Sequence, residues 1–383
     1  MYIDQSRFGE ASTPFYYYDT QTLRTTLAAA QAARAGDEHL HIHYAVKANA
    51  RPELLQMIAA AGFGADCVSG GEIKAAIDAG FRPEEIVFAG VGKADWEIEL
   101  GLKENIGCFN AESLPELDVL NELAGKMGKQ ANVALRINPN INAHTHEKIT
   151  TGLKENKFGI PMEQMLEAAR KVLALPNLNF RGLHFHIGSS ILDLGTFIPL
   201  CLRINELQDI LEAEGIQCES INVGGGLGTH YEDPEVHPIP DFIGYMDIFR
   251  KYLKLRKNQA LHFELGRSLV AQCGAMIARV LFVKRGEQKN FLVLDAGFTD
   301  LIRPAFYNAH HKIVNLTKGA DVDAEERYDV VGPICESSDV FQTDVPLPLC
   351  ERGDYIAFLT AGAYGEIMAS QYNLRRLPAH IIA

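Results

Sequence analysis

Between residues 41 and 264 one pattern recurs along the chain: a short apolar run of strand length, then a helical segment or a glycine-rich turn. The runs lie at 41–46, 64–68, 86–89, 107–110, 132–138, 180–187, 220–223 and 261–264. A parallel pair needs a long crossover rather than a hairpin, and a helix supplies it. Eight such units in series predict an α/β fold, the closed parallel TIM (β/α)8 barrel. An open doubly wound sheet shares the alternation but fits eight units less well. Past residue 266 the texture changes. The runs 276–283, 291–294, 328–331 and 355–360 read as strands with turns between them and little helix. They predict a second, all-β domain of Greek-key or sandwich-like type. The predicted division is therefore 1–28, an N-terminal strand (14–18) joining the β-domain; 29–265, the barrel; and 266–383, the β-domain.

Composition removes several functional classes. The net charge of −13 argues against a nucleic-acid or anionic-membrane partner. No basic stretch followed by an apolar core opens the chain, so no signal peptide is expected, and no apolar run is long enough to span a bilayer. Seven cysteines, an odd number with no CxxC pair, suit free thiols in a reducing cytoplasm. The histidine pairs 41/43, 144/146 and 184/186 raise the question of a metal. With no carboxylate or cysteine at ligand spacing beside them, none is expected.

The stretch His41-Ile42-His43-Tyr44-Ala45-Val46-Lys47-Ala48-Asn49 ends a strand in a lysine, before Arg51-Pro52 turns the chain toward a helix. An amine in apolar surroundings is a nucleophile toward an aldehyde, although a lone lysine past a strand is usually a surface residue. In a barrel the active site lies at the C-terminal strand ends. After strand seven comes Gly224-Gly225-Gly226-Leu227-Gly228, whose backbone can approach an anion closely. A dinucleotide fingerprint fails on spacing, because Thr229 or Tyr231 stands where its last glycine belongs. Glu264-Leu265-Gly266-Arg267 follows strand eight, and strand six delivers His184-Phe185-His186 and then Ser189. Each has a dull explanation taken alone. Together they supply an aldehyde-trapping lysine, a phosphate cradle, an imidazole to lie beside a ring and an acid for a ring nitrogen, the partners of pyridoxal phosphate.

The series 44–49, 182–189, 224–226, 264–267, Cys335-Glu336-Ser337-Ser338-Asp339 and Gly362-Ala363-Tyr364 resembles, in order, the motifs of the diaminopimelate decarboxylase family, barrel-type pyridoxal-phosphate enzymes related to alanine racemase. The resemblance runs from about Pro14 to Asn373. Leu265, Ser190 and Asn156 depart from the usual proline, glutamine and serine, and none removes a group that does chemistry. The resemblance implies decarboxylation of meso-2,6-diaminopimelate to L-lysine and carbon dioxide, the last step of lysine biosynthesis. It implies that Lys47 carries the cofactor, that His186 stacks on its ring, and that Ser189, Gly225, Gly226 and Tyr364 hold its phosphate. Glu264 would pair with the ring nitrogen, with Gly266 and Arg267 beside it. Arg267, Arg303 and Tyr307 would hold the substrate's distal carboxylate, with Tyr364 also at the substrate, and Glu336 its distal ammonium. Cys335 would give a proton, acting across a homodimer interface. Asp66 would tune the Lys47 or cofactor region.

Three other readings compete. A decarboxylase of ornithine, lysine or arginine on the same fold would want an acid-lined distal pocket, which Arg303 and Tyr307 oppose. A racemase needs a second base, usually tyrosine, and loses no carboxylate; Cys335-Glu336 does not fit it. A non-catalytic carrier would have lost Lys47 or Cys335, and both are present.

Overall fold

The structure is a computed structural model that describes residues 1–141, 157–319 and 323–383. The pair His144/His146 and Asn156 lie outside the described residues. The chain divides into two compact units, one of residues 27–228 and 241–266, the other of residues 1–26, 229–240 and 267–383.

The first unit is the barrel. Its strands are Leu40–Ala45, Gly64–Cys67, Ile86–Phe88, Cys108–Ala111, Ala131–Asn138, Leu178–His184, Ser220–Asn222 and Ala260–Leu265, called strands one to eight below. Each pairs in parallel with its successor, and strand eight returns to strand one through Leu261↔Leu40 to Leu265↔Tyr44, closing the sheet. The short segment Ile160–Pro161 adds onto strand five. The helices cover the barrel with one apolar stripe each, as in Leu114–Lys126, where Leu117, Leu120, Leu123 and Ala124 are buried. Caps fix where they start. The Ser69 hydroxyl accepts from the Glu72 amide at the head of Gly70–Asp78. A capping box would return the Glu72 carboxylate to the Ser69 amide; here it accepts from Val68 N–H, one residue earlier, at 2.8 Å. Gly80, at φ +95°, ends that helix in a conformation other residues adopt at a cost.

The second unit is built on a mixed sheet ordered Ile313–Asn315, Tyr355–Phe358, Gly274–Arg285, Asn290–Leu294, Glu326–Val331, Val340–Leu347. Phe15–Tyr18 pairs antiparallel with Gly274–Ile277 and parallel with Ala379–Ile382. Phe8, Phe15, Tyr17, Ala275, Ile277, Ala357 and Ile381 form a buried cluster there. Phe8 meets Phe15 edge-on at 5.3 Å, the geometry aromatic quadrupoles favour.

Candidate active site

In the barrel unit, polar side chains gather at the C-terminal ends of apolar strands. Glu264 of strand eight accepts from Asn222 of strand seven at 2.7 Å, from Asn110 of strand four at 3.2 Å and from His184 Nε2 of strand six at 2.9 Å. Side chains from strands so far apart around the sheet meet only by pointing inward. Burial alone would raise the Glu264 carboxyl; His184 and then Lys47 outweigh it and hold the group below the usual carboxylate range. Asp66 of strand two goes the other way. Burial and then Glu264 push it well above that range despite Lys47, and its Oδ1 is buried without a hydrogen-bond partner among the described residues.

Strand one stops at Ala45, and Lys47 lies on the short 3-10 turn Val46–Ala48 that follows. It is exposed between buried neighbours. Its environment is ionic rather than the expected apolar one: Asp66, Glu72 and Glu264 all feel its charge. The chain then reaches the helix Pro52–Ala60, with Arg51 N–H donating to Asn49 Oδ1 at 2.9 Å. Gly266 passes so close that a Cβ there would stand 3.1 Å from those of Ala45 and Ala48.

The glycine loop after strand seven has no room for side chains. A Cβ on Gly224 would meet the Phe185 carbonyl at 2.3 Å, and one on Gly225 the Glu264 carbonyl at 2.1 Å. The loop is joined to the turn that carries Ser189, since Ile191 N–H donates to Gly226 O at 2.8 Å and Gly228 N–H to Ile191 O at 2.9 Å. Gly225 N–H donates to His186 Nδ1 at 3.3 Å. Burial, then Lys47 and Arg136, keep the His186 ring well below the usual histidine range and so neutral. A glycine cradle tied to a serine turn, an ionised carboxylate fixed by three donors, and a lysine fit pyridoxal phosphate.

The β unit brings a second group together. Arg267 Nη1 donates to Tyr231 OH at 2.7 Å, and its guanidinium lies over the Tyr364 ring at 4.7 Å. Arg303, buried at 6% exposure, lies over the Tyr231 ring at 4.6 Å and donates to His311 Nε2 at 2.7 Å. Tyr307 lies near Arg267. Among the described residues neither guanidinium is in a salt bridge with a carboxylate. Cys335 and Glu336 are exposed, and their bonds run elsewhere: Cys335 N–H to Asn373 Oδ1 at 3.1 Å, and Tyr372 OH to Glu336 at 2.7 Å.

Sequence reading missed Asn110, Asn222 and the role of His184, although polar residues at the ends of apolar strands were a visible signal. It also missed Arg136, which bonds Glu112 at 2.6 Å, and Tyr231 and His311, which no motif marks. No group of three or more histidine, cysteine or acidic residues among the described residues is arranged to hold a metal. His43 bonds His262 instead, at 2.8 Å, and His184 bonds Glu264.

A closed barrel with these groups at its C-terminal strand ends defines a pyridoxal-phosphate enzyme of the barrel type. The family model described as pyridoxal-dependent decarboxylase, pyridoxal binding domain, matches residues 22–271. The diaminopimelate decarboxylase of Bacteroides thetaiotaomicron is 59% identical over 372 residues, 97% of this chain and 96% of that one. That of Neisseria meningitidis serogroup A is 42% identical over 383 residues, 99% and 92% of the two chains. The crystal structure of the Helicobacter pylori diaminopimelate decarboxylase complexed with L-lysine superposes with a TM-score of 0.90 at 39% identity, covering 99% of this chain and 93% of that one. The chain belongs to the diaminopimelate decarboxylase family of pyridoxal-dependent decarboxylases.

Proposed function

We propose that this protein decarboxylates meso-2,6-diaminopimelate to L-lysine and carbon dioxide. The observation that carries the substrate assignment is the pair of guanidinium groups, Arg267 and Arg303, set among aromatic rings with no carboxylate partner among the described residues. A site of this kind awaits an anion, and a planar guanidinium grips a carboxylate by two parallel bonds. Ornithine, lysine and arginine end in a cation and would find repulsion there.

When bound, pyridoxal phosphate supplies the electron sink that stabilises the carbon left by departing carbon dioxide. Lys47 would hold the cofactor, and Ser189, Gly225, Gly226 and Tyr364 its phosphate. Glu264, kept ionised, would hold a proton on the ring nitrogen, with Gly266 and Arg267 beside it. A neutral His186 would stack on the cofactor's ring without charge repulsion. Asp66, kept protonated by burial and by Glu264, would donate a hydrogen bond rather than accept one, and so temper the charge around Lys47. Arg267, Arg303, Tyr307 and Tyr364 would fix the substrate's distal end, with Glu336 accepting from its ammonium. Cys335 would deliver the proton from Sγ–H to the carbon.

We infer a homodimer in which Cys335 and Glu336 complete the partner's site. Exposure supports this: Ile367, Tyr372, Leu374 and Leu377, in the segment whose Tyr372 and Asn373 hold the 335–336 turn, are 47%, 47%, 97% and 55% exposed. A second copy would cover such surface. No helix among the described residues is long and apolar enough to cross a membrane. The free cysteines support a cytoplasmic location.

The test incubates purified protein with pyridoxal phosphate and meso-diaminopimelate and follows both products. Equal amounts of carbon dioxide and lysine are expected. Loss of stereochemical purity without carbon dioxide would mean a racemase and reject the assignment.

A further inference from the structure

We propose that His311 is a positioning residue that fixes the Arg303 guanidinium for the substrate's distal carboxylate. The inference rests on the reading of Arg303 given above. His311 is 2% exposed. Its Nδ1 lies 2.9 Å from the Leu359 carbonyl oxygen. That oxygen can only accept, so Nδ1 carries the hydrogen. In a neutral ring Nε2 then offers a lone pair, and Arg303 Nη1 donates to it at 2.7 Å. Burial first, and then the charge of Arg303, hold the ring well below the usual histidine range, so that it stays an acceptor.

The arrangement leaves Arg303 little freedom. One Nη1 hydrogen goes to His311, and the guanidinium face rests on Tyr231 at 4.6 Å. Tyr231 in turn stands edge-on to His311 at 5.2 Å and accepts from Arg267. The opposite edge of Arg303, Nε and Nη2, carries the two parallel N–H groups that a carboxylate meets. An acidic partner in place of His311 would neutralise the guanidinium. A neutral acceptor orients it and leaves its charge for the substrate.

Two variants separate orientation from mere packing. His311→Asn keeps a donor for the Leu359 carbonyl but ends short of Arg303. His311→Gln sets an amide oxygen near the position of Nε2. Steady-state kinetics with cofactor-loaded enzyme and meso-diaminopimelate should show KM raised about ten-fold or more in His311→Asn, with kcat within about three-fold of the parent. His311→Gln should stay within about three-fold of the parent in both. In an Arg303→Lys background, His311→Asn should add nothing further, because the group it orients is gone. A KM unchanged in His311→Asn, or raised equally in His311→Gln, overturns the proposal. So does a full additional effect in the Arg303→Lys background. The bound cofactor's visible absorption reports folding. Should His311→Asn lose it, His311→Gln in the two backgrounds decides, since KM must then stay near that of each parent. If Arg303→Lys itself leaves KM unchanged, the distal-carboxylate reading fails; if Arg303→Lys raises KM and His311→Asn does not, only the role of His311 falls.

Discussion

Arg303 and Lys47 show how residue type is chosen by surroundings. Arg303 is buried against an aromatic face and a neutral imidazole, and its charge is tolerated there because a guanidinium is delocalised and weakly hydrated. Lysine would keep the charge but lose both the stacking and the paired donors. Arg303→Lys should therefore cost about 2–4 kcal/mol in transition-state binding, read as a fall in kcat/KM for meso-diaminopimelate. An unchanged specificity constant would refute the role. Lys47 stands exposed among Asp66, Glu72 and Glu264. The protein loaded with pyridoxal phosphate should absorb in the visible, and borohydride should fix the cofactor on this lysine alone; a label on any other lysine would contradict the assignment.

At the scale of elements, the barrel interior is layered. Glu264, Asn110, Asn222, His184 and Asp66 lie at strand ends. His262 sits two residues before Glu264 on the same strand, bonded to His43 of strand one. His43 Nδ1 meets the Glu85 carbonyl at 3.0 Å, which makes that nitrogen the donor and leaves Nε2 to accept from His262. Both rings are thus built in neutral, and burial, the largest cause, holds both below the ordinary value of 6.5. Below about pH 6.5 the unfolded chain binds protons that the folded one refuses. Stability should fall as pH drops through that value, by up to about 1.4 kcal/mol per pH unit for each such ring. Urea midpoints between pH 5.5 and 7.5 check this, and His43→Asn should make the dependence shallower; an equally steep dependence would show that the pair is not responsible.

The barrel strands were legible because each is a short apolar run bounded by glycine or polar residues. Val340–Leu347 was not, since Gln342, Thr343, Asp344 and Pro346 break the alternation and Asp344 has φ +57°. Ile313–Asn315 and Ala379–Ile382 went unread as well. Lys47, His186, the glycine loop and Glu264 could be read from motif and position. Tyr231 and His311 could not, because their part depends on two arginines distant in sequence, and only folding sets them together.

For the whole molecule, the proposed site is one completed by a second chain. Lys47→Ala and Cys335→Ala should each be nearly inactive alone. After random subunit exchange about half the dimers are hybrid, and each hybrid holds one intact site, giving about a quarter of native activity. If exchange is shown to occur and activity does not return, the residues act within one chain. The central claim, a decarboxylase whose guanidinium groups select a distal carboxylate, is tested most directly by the specificity constants of the purified, cofactor-loaded protein for meso-diaminopimelate and L-ornithine, with carbon dioxide as the readout. Meso-diaminopimelate should be preferred by about a hundred-fold or more, the worth of one well-formed charged contact. Equal turnover of the two substrates, or a preference for ornithine, would contradict it.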